Sequence, residues 1–486
     1  MADGTPLTLL HARHLLRRTG FGASQTEAAN LLAQYPTRGA AATALLSYKP
    51  SGFKPGGRSF DDIHDKWIKY MLKVKAPLQE KLVLFWHDHF ATGISKVFDV
   101  KMMASQNKLF RLNGRGNLKT LVKAVNLDPA MMEFLDTVRN HAEIPNENYA
   151  RELQELFTLG VKDSAGVDNY VQADVAQIAR AFTGWDYDKV AFFKDYDHDY
   201  QADYPGRGPK VIFQSTGGFG PAGRDYAAGG EGTQEIDAVV DIIFEHEDSQ
   251  GKNTVARRTA RRLIEYFAHP NPGLGFIDAV VAASSFDQDF EITPLLHAIF
   301  VHDDFYLTAG PPIGAGTPKS VRWPVDFVVS SLRLLRMKPK GKYQYIDGGS
   351  YSRVFDQLSN MGQLVFDPPS VFGWDWETAW VSSSTMLARY GFARDLTAAH
   401  YGGATAFRPE KFIDLDLTDP NEILTAVTDT LGVSGDLSLA EETALVDYLT
   451  DGGANPSIDL FDYDVRHSKL HGLFALVMQT PAYQLQ

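Results

Sequence analysis

Apolar residues recur at helical intervals through most of the chain. Over residues 7–50, Leu9, Leu10, Leu15 and Leu16, then Ala28, Leu31 and Leu32, carry this spacing. The stretch SGFKPGGRSF at 51–60 interrupts it as a Gly/Pro loop. From Asp61 to about Gly160 the period returns and predicts four or five helices, punctuated at Gly93, Gly114-Arg115-Gly116 and Asp128-Pro129. A further helix is predicted from about Gln172 to Phe182, stopping at Gly184.

Residues 186–235 change character. Tyrosine, aspartate and glycine dominate without a helical period, which predicts a long irregular excursion with a short hairpin around Lys210–Phe213. Helical spacing resumes from Ile236 to about Phe305 and from Val321 to Leu335, and it fills the chain after a second aromatic loop, QLVFDPPSVFGWDWETAW, at 363–380. No internal repeat is visible. The expected fold is mostly α, multi-helix and globular, with two long irregular Gly/Tyr/Trp-rich loops. Residues 1–185 form an N-terminal helical lobe carrying the motifs, 186–235 the excursion, and 236–486 a C-terminal helical lobe packed on the first.

Composition narrows the function classes. A chain of 486 residues exceeds what one core usually supports, and 44% hydrophobic content is normal for a folded protein. The formal charge of −13 disfavours nucleic acid and anionic membrane as partners, since both select a net basic face. No run of apolar residues is long enough to span a bilayer. The absence of cysteine excludes disulfides, thiolate metal sites and a cysteine nucleophile, and it fits an oxidising compartment. The opening Met1-Ala2-Asp3-Gly4 shows no charged-then-apolar leader.

The richest polar motif is PNENYARELQELFTLG at 145–160. Pro145 suits a helix start, and Asn146 is placed to cap its free amides. Glu147, Arg151 and Glu155 fall at i, i+4 and i+8 as a charged stripe, with Asn148 and Glu152 beside it and Leu153, Leu156 and Phe157 as the apolar face. Two readings stand: a solvated helix laced by ion pairs, or a preorganised polar cluster. In FWHDHF at 85–90, His87 and His89 share a metal only if the last helical turn unwinds before Gly93, because on a helix they lie about 200° apart. HARHLLRRTGFG at 11–22 places His14 with Arg17 or Arg18 on one face, without the lysine of a phosphate loop. Arg257-Arg258 and Arg261-Arg262 make a basic stripe with Glu265, the pattern of a salt-bridged face. The Trp185 and Trp374 loops suit either stacking on a planar ligand or sealing the core. No Gly-x-Ser-x-Gly elbow, HExxH, dinucleotide fingerprint or Walker loop appears.

Taken in order, these blocks resemble one bacterial family, domain of unknown function 1800. The resemblance runs through HARHLLRRTGFG, FWHDHFAT, Asp128-Pro129-Ala130-Met131, Leu135-Asp136, PNENYARELQELFTLGV, ARAFTGW, MGQLVFDPPSVFGW, Val381-Ser382-Ser383-Ser384 and Thr480-Pro481-Ala482-Tyr483-Gln484, nearly the whole chain. His14, Arg17, His87, His89, Asn146, Glu147, Asn148, Arg151, Glu152, Arg180, Gly184, Trp185, Gln363, Pro368, Pro369, Gly373 and Trp374 fall on its motif positions. The resemblance implies export, to the periplasm or beyond the cell, and a second uncharacterised exported protein as partner. It carries no activity. The pattern after Trp185 departs from the family, which has a compact His-Asp followed by a lysine; here His198-Asp199 runs into YQADYPGRGPKVIF, and the role of the pair is left open.

Two functions follow as expectations. The first is a metal-assisted or acid/base enzyme, a hydrolase being one form, acting on an extracellular polymer or an anionic substrate. Glu147, Asn148, Arg151, Glu152 and His14 are then catalytic. His87 and His89, with Glu147, Glu152 or Glu155, are ligands for zinc, iron or manganese, while Arg17, Arg180, Trp185 and Trp374 touch substrate. The second is a non-catalytic module that binds a polysaccharide or assembles with a second exported protein, the charged helix being a buried lock. A cytoplasmic location is the alternative to export.

Overall fold

The computed structural model describes residues 2–200, 202–228, 232–310, 319–338, 353–398 and 407–486. Helices take up 58% of the chain, and the strands among the described residues form two short antiparallel pairs. Helix ends follow local sequence. Ser24 and Glu27 form a reciprocal capping box at Gln25–Gln34. Asp128 caps Pro129–Phe134, and Asn253 caps Thr254–Phe267.

The helix Pro77–His89 runs through the middle and is buried on nearly every face. Its polar residues therefore need partners. Glu80 receives Arg111 and the Trp67 indole at 2.7 and 2.8 Å, and Lys81 pairs with Asp326. The helix Thr254–Phe267 is the opposite case: Val255, Ala256, Thr259, Ala260, Leu263 and Ile264 are buried, and its arginines stand on the other face. One contiguous cluster of buried apolar side chains extends from Leu7 to Tyr483, so early and late segments share packing. The first helix, Leu9–Thr19, also bonds late segments directly: His14 meets the carbonyl of Phe305, and Arg18 donates to those of Tyr266 and Phe267.

The excursion is irregular, as its composition indicates, with residues 201 and 229–231 outside the described part. The hairpin expected near Lys210–Phe213 is Val211–Ile212 paired with Arg224–Asp225. A second hairpin, Trp185–Tyr187 with Ala191–Phe193, was not foreseen, because three-residue strands are too short to show an alternation. No described helix is long and apolar enough to cross a membrane.

Candidate functional site

The motif at 145–160 is shorter as an α-helix than its spacing suggests. The α-helix covers Asn148–Glu152, and a π-helical turn, Leu153–Thr158, follows it. Residues before Asn148 are held in a turn instead: Asn140 Oδ1 accepts the Asn146 amide at 2.8 Å, and Asn146 Oδ1 accepts the Asn148 amide at 2.9 Å. Glu147 therefore takes the N-cap position expected of Asn146, without a side-chain cap bond, and Asn146 makes a turn ahead of it. Asn148 donates to Asp136 at 3.2 Å, and Lys96 and Arg139 reach the same carboxylate at 2.9 and 2.5 Å. Asp136 itself holds a left-handed backbone at φ 59°, a conformation such anchoring sustains.

The charged stripe forms only in part. Arg151 pairs with Glu147 at 3.1 Å, and Gln172 bridges both at 2.6 and 2.8 Å on the half-exposed face. Glu155 leaves the stripe because the wider turn rotates it away, and it accepts the Tyr170 hydroxyl at 2.9 Å. Burial and Glu155 push the Tyr170 phenol up, which keeps it a donor. Glu152 differs from its neighbours. Its residue is 9% exposed, and its carboxyl has no hydrogen-bond or ion-pair partner among the described residues. Burial and the charge of Glu155 raise it to about 7, against the opposing pull of Arg151.

The far end of the π-turn meets two other motifs. Arg258 donates to the Leu156 carbonyl at 3.1 Å, and His89 Nε2 bonds the Phe157 carbonyl at 3.1 Å. Gly160, at φ 79°, permits this approach, since a Cβ there would lie 2.5 Å from an Arg258 nitrogen. A nitrogen facing a carbonyl must donate, so His89 carries its proton on Nε2 and is neutral; burial, then Arg262 and Arg258, bring it down to about 3. His87 plays the reverse role, its Nε2 accepting the Phe366 amide at 2.8 Å, and burial brings it to about 3 as well.

The helix persists through His89, so the two rings point apart and do not converge on a shared ion. Among the described residues no three His, Cys, Asp or Glu side chains are arranged to hold a metal. Asp88, between the histidines, is the hub sequence reasoning missed. It accepts the Trp374 amide at 2.8 Å and the Trp376 indole at 3.0 Å, with Arg262 at 3.5 Å, yet burial still raises it to about 6. Arg262 also lies 4.0 Å over the Trp376 ring. A Cβ on Gly373 would run into Asp88, so this loop closes onto the carboxylate only as glycine.

The other predicted residues lie elsewhere. His14 is buried against Phe305, and Arg17 pairs with buried Asp436 at 2.7 Å, beside Arg13 at 3.1 Å. Trp374 is buried against the His87 ring, and Trp185 is buried and packs on Phe193. Arg180 holds Asp199 at 3.0 Å, joined by Arg207 at 2.6 Å. Next to it, His198 stands 3.3 Å from Glu235, whose oxygens take Lys210 at 2.7 and 2.8 Å, all of them buried. Lys210 lies 3.5 Å from His198, which brings a lysine beside the His-Asp pair in space. The structure therefore keeps Glu147, Asn148, Arg151 and Glu152 on one segment, with His89 joined to its far end at the Phe157 carbonyl. It places His14 and Arg17 in a second buried cluster, and Arg180 in a third with Trp185 nearby. The signals for Asp88, Arg258, Arg262 and Trp376 were present as an acid between two histidines, a basic stripe and a loop tryptophan, without any local sign that they meet.

The sequence profile of a family described as protein of unknown function (DUF1800) matches residues 14–485. The chain belongs to that family. No curated protein and no solved structure matches it.

Proposed function

We propose that this member of the DUF1800 family is an enzyme that transfers a proton at Glu152, acting on an anionic substrate or an extracellular polymer in the periplasm or outside the cell. One observation carries the reading. In a segment whose other polar side chains are committed to partners, the Glu152 carboxyl is free and sits near 7. A general acid or base works best when its pKa lies near the working pH, and such a group typically contributes about 10²–10⁴ in rate. Protonated, Glu152 can donate to a leaving oxygen; ionised, it can take a proton from water. Asn148, Glu147 and Arg151 act as positioning residues through Asp136 and Gln172, and His89 and Arg258 fix the turn that follows. Location outside the cytoplasm rests on the family resemblance and the lack of cysteine.

The test is a panel of glycan, ester and phosphate-ester substrates assayed with the purified chain, the Glu152→Gln variant and a pH series. The reading expects an apparent pKa near 7 in the rate, a loss of at least about a hundredfold in Glu152→Gln, and an unchanged melting profile at low pH. A carboxyl titration by carbon NMR that places Glu152 near its ordinary value sinks the proposal without needing a substrate.

A second reading has its own support. Ile144 and Tyr196 are 79% and 85% exposed on two segments that Asp197 ties together through His141 and the Ala142 amide. An aromatic and an aliphatic side chain presented this way suit a polysaccharide or a second exported protein. Retention of the protein on immobilised polysaccharide, lost in Tyr196→Ala with Glu152→Gln fully retained, favours that module over the enzyme.

A further inference from the structure

We infer that the cavity beside the first two turns of the Thr254–Phe267 helix is a binding site for a small oxyanion, a phosphate or a sulfate. The site shares Arg258 with the turn that follows Glu152 but does not include Glu152, and it holds whether or not that residue transfers a proton. Its volume is about 240 Å³, and Lys162, Arg257, Arg258 and Arg261 line it together with Asp163 and Asp248.

The cations divide into committed and free. Arg257 is held by Asp248 and Asp278, each at 2.7 Å, and Lys162 by Asp168 at 2.9 Å. Asp278 and Asp168 are not part of the lining, so within the cavity four cations face two carboxylates. Both of those carboxylates are occupied. Asp163 accepts the amides of Ala165 and Val167 at 2.9 Å and that of Ser249 at 3.0 Å; these bonds outweigh burial and hold it at about 2. Asp248 accepts the amides of Gln250 and Lys252 at 2.9 and 3.0 Å, as well as Arg257.

Arg258 and Arg261 remain, and neither has an ion pair among the described residues. Arg258 uses one nitrogen on the Leu156 carbonyl, while its Nε is buried without a partner. Burial and neighbouring Arg262 bring this guanidinium down to about 10.

Two further features select an anion. Arg258 and Arg261 are the fifth and eighth residues of a fourteen-residue helix, so its positive end lies on the Thr254 side of the cavity and adds weakly to their charge. Leu159, Leu274 and Ile277 form an apolar wall that thins the water and strengthens the attraction. Size selects the class: sites for drug-sized ligands run from roughly 300 to 1,000 Å³, so this cavity fits the oxyanion itself, free or at the end of a larger molecule. Arg261 supplies a planar fork of the kind oxyanions bind, and Arg258 the nitrogen it does not spend on Leu156.

The experiment is calorimetric titration of the whole chain with inorganic phosphate, sulfate and glycerol phosphate at low ionic strength. Saturable one-to-one binding of at least one of them is expected. Arg261→Ala should weaken it about tenfold or more, with circular dichroism and melting unchanged. Arg258→Lys should also weaken it, since lysine cannot serve the Leu156 carbonyl and the anion together. Arg394→Ala, at an exposed pair with Asp395, should leave it alone. Tighter binding of the monoester than of phosphate marks a phosphorylated metabolite as the source, and equal binding marks the free ion. Failure of the folded chain to take up any of the three at millimolar concentration overturns the site, as does undiminished binding in Arg261→Ala. Neither result bears on Glu152.

Discussion

Replacing Glu152 with glutamine should make the protein more stable above pH 7. A residue kept for structure would do the reverse. The Glu152 carboxyl moves from an ordinary 4.5 to about 7 on folding. The folded state therefore holds a proton that the unfolded state has released, and stability falls as pH rises from about 4.5 through 7. At 1.36 kcal/mol per pH unit the full difference is ~3 kcal/mol. The carboxyl is only partly enclosed, so solvent screens its charge, and a discounted figure is ~1–2 kcal/mol.

Glutamine has the same shape and no charge, and the side chain has no partner to lose, so the variant should recover that amount above pH 7 and nothing at pH 4. Unfolding entropy of roughly 2.1 cal/mol/K per residue makes this a rise of about 1–2 °C for a chain of 486 residues unfolding as a unit. Differential scanning calorimetry of both proteins from pH 4 to 9 resolves it. A lower melting temperature for Glu152→Gln at pH 8 refutes the reasoning, because it would show that the carboxylate is bonded and structural.

Other outcomes follow from the same geometry. His89 falls to about 3 on folding, so stability is lost as pH drops from 6.5 towards 3; His89→Gln should flatten that slope by about 1.36 kcal/mol per pH unit in urea unfolding. An unchanged slope would mean the ring is not a neutral donor to Phe157. Arg262 opposes the upward push on Asp88, so Arg262→Met should raise the Asp88 titration above its value of about 6, read by carbon NMR; a fall contradicts the assignment. Gly373→Ala combines a positive φ of 83° with a collision at Asp88, and should cost at least about 2 kcal/mol by chemical unfolding.

Helix placement was legible because apolar period survives in single segments. Leu9 to Leu16 needed no partner to be recognised. The π-turn was not legible. LQELFT keeps its apolar residues at α-spacing, and Arg258, which holds the Leu156 carbonyl, comes from a hundred residues away. The histidine pair turned on where the helix unwinds before Gly93; it does so only after His89, and the 200° separation stands. His198, Lys210 and Glu235 were hidden for another reason. Aspartate, tyrosine and glycine around them read as an exposed loop, and only the folded chain shows those charges shut inside and matched to one another. Asp88 was in view but unread, since an acid becomes a hub only when two distant tryptophans approach it.

The π-turn beyond Glu152 also limits how this segment can vary in length. An α-helix advances about 100° per residue, and a turn closed one residue late inserts that step between the two halves of the motif. Glu147 and Arg151 belong to one angular frame, Glu155 and Phe157 to another. Deleting a single residue within 153–158 would merge the frames and swing every later side chain by that angle. Glu155 would turn from Tyr170, and the carbonyls would withdraw from His89 and Arg258. Substitutions can be absorbed one at a time here, but a change of one residue in length acts on both ends at once.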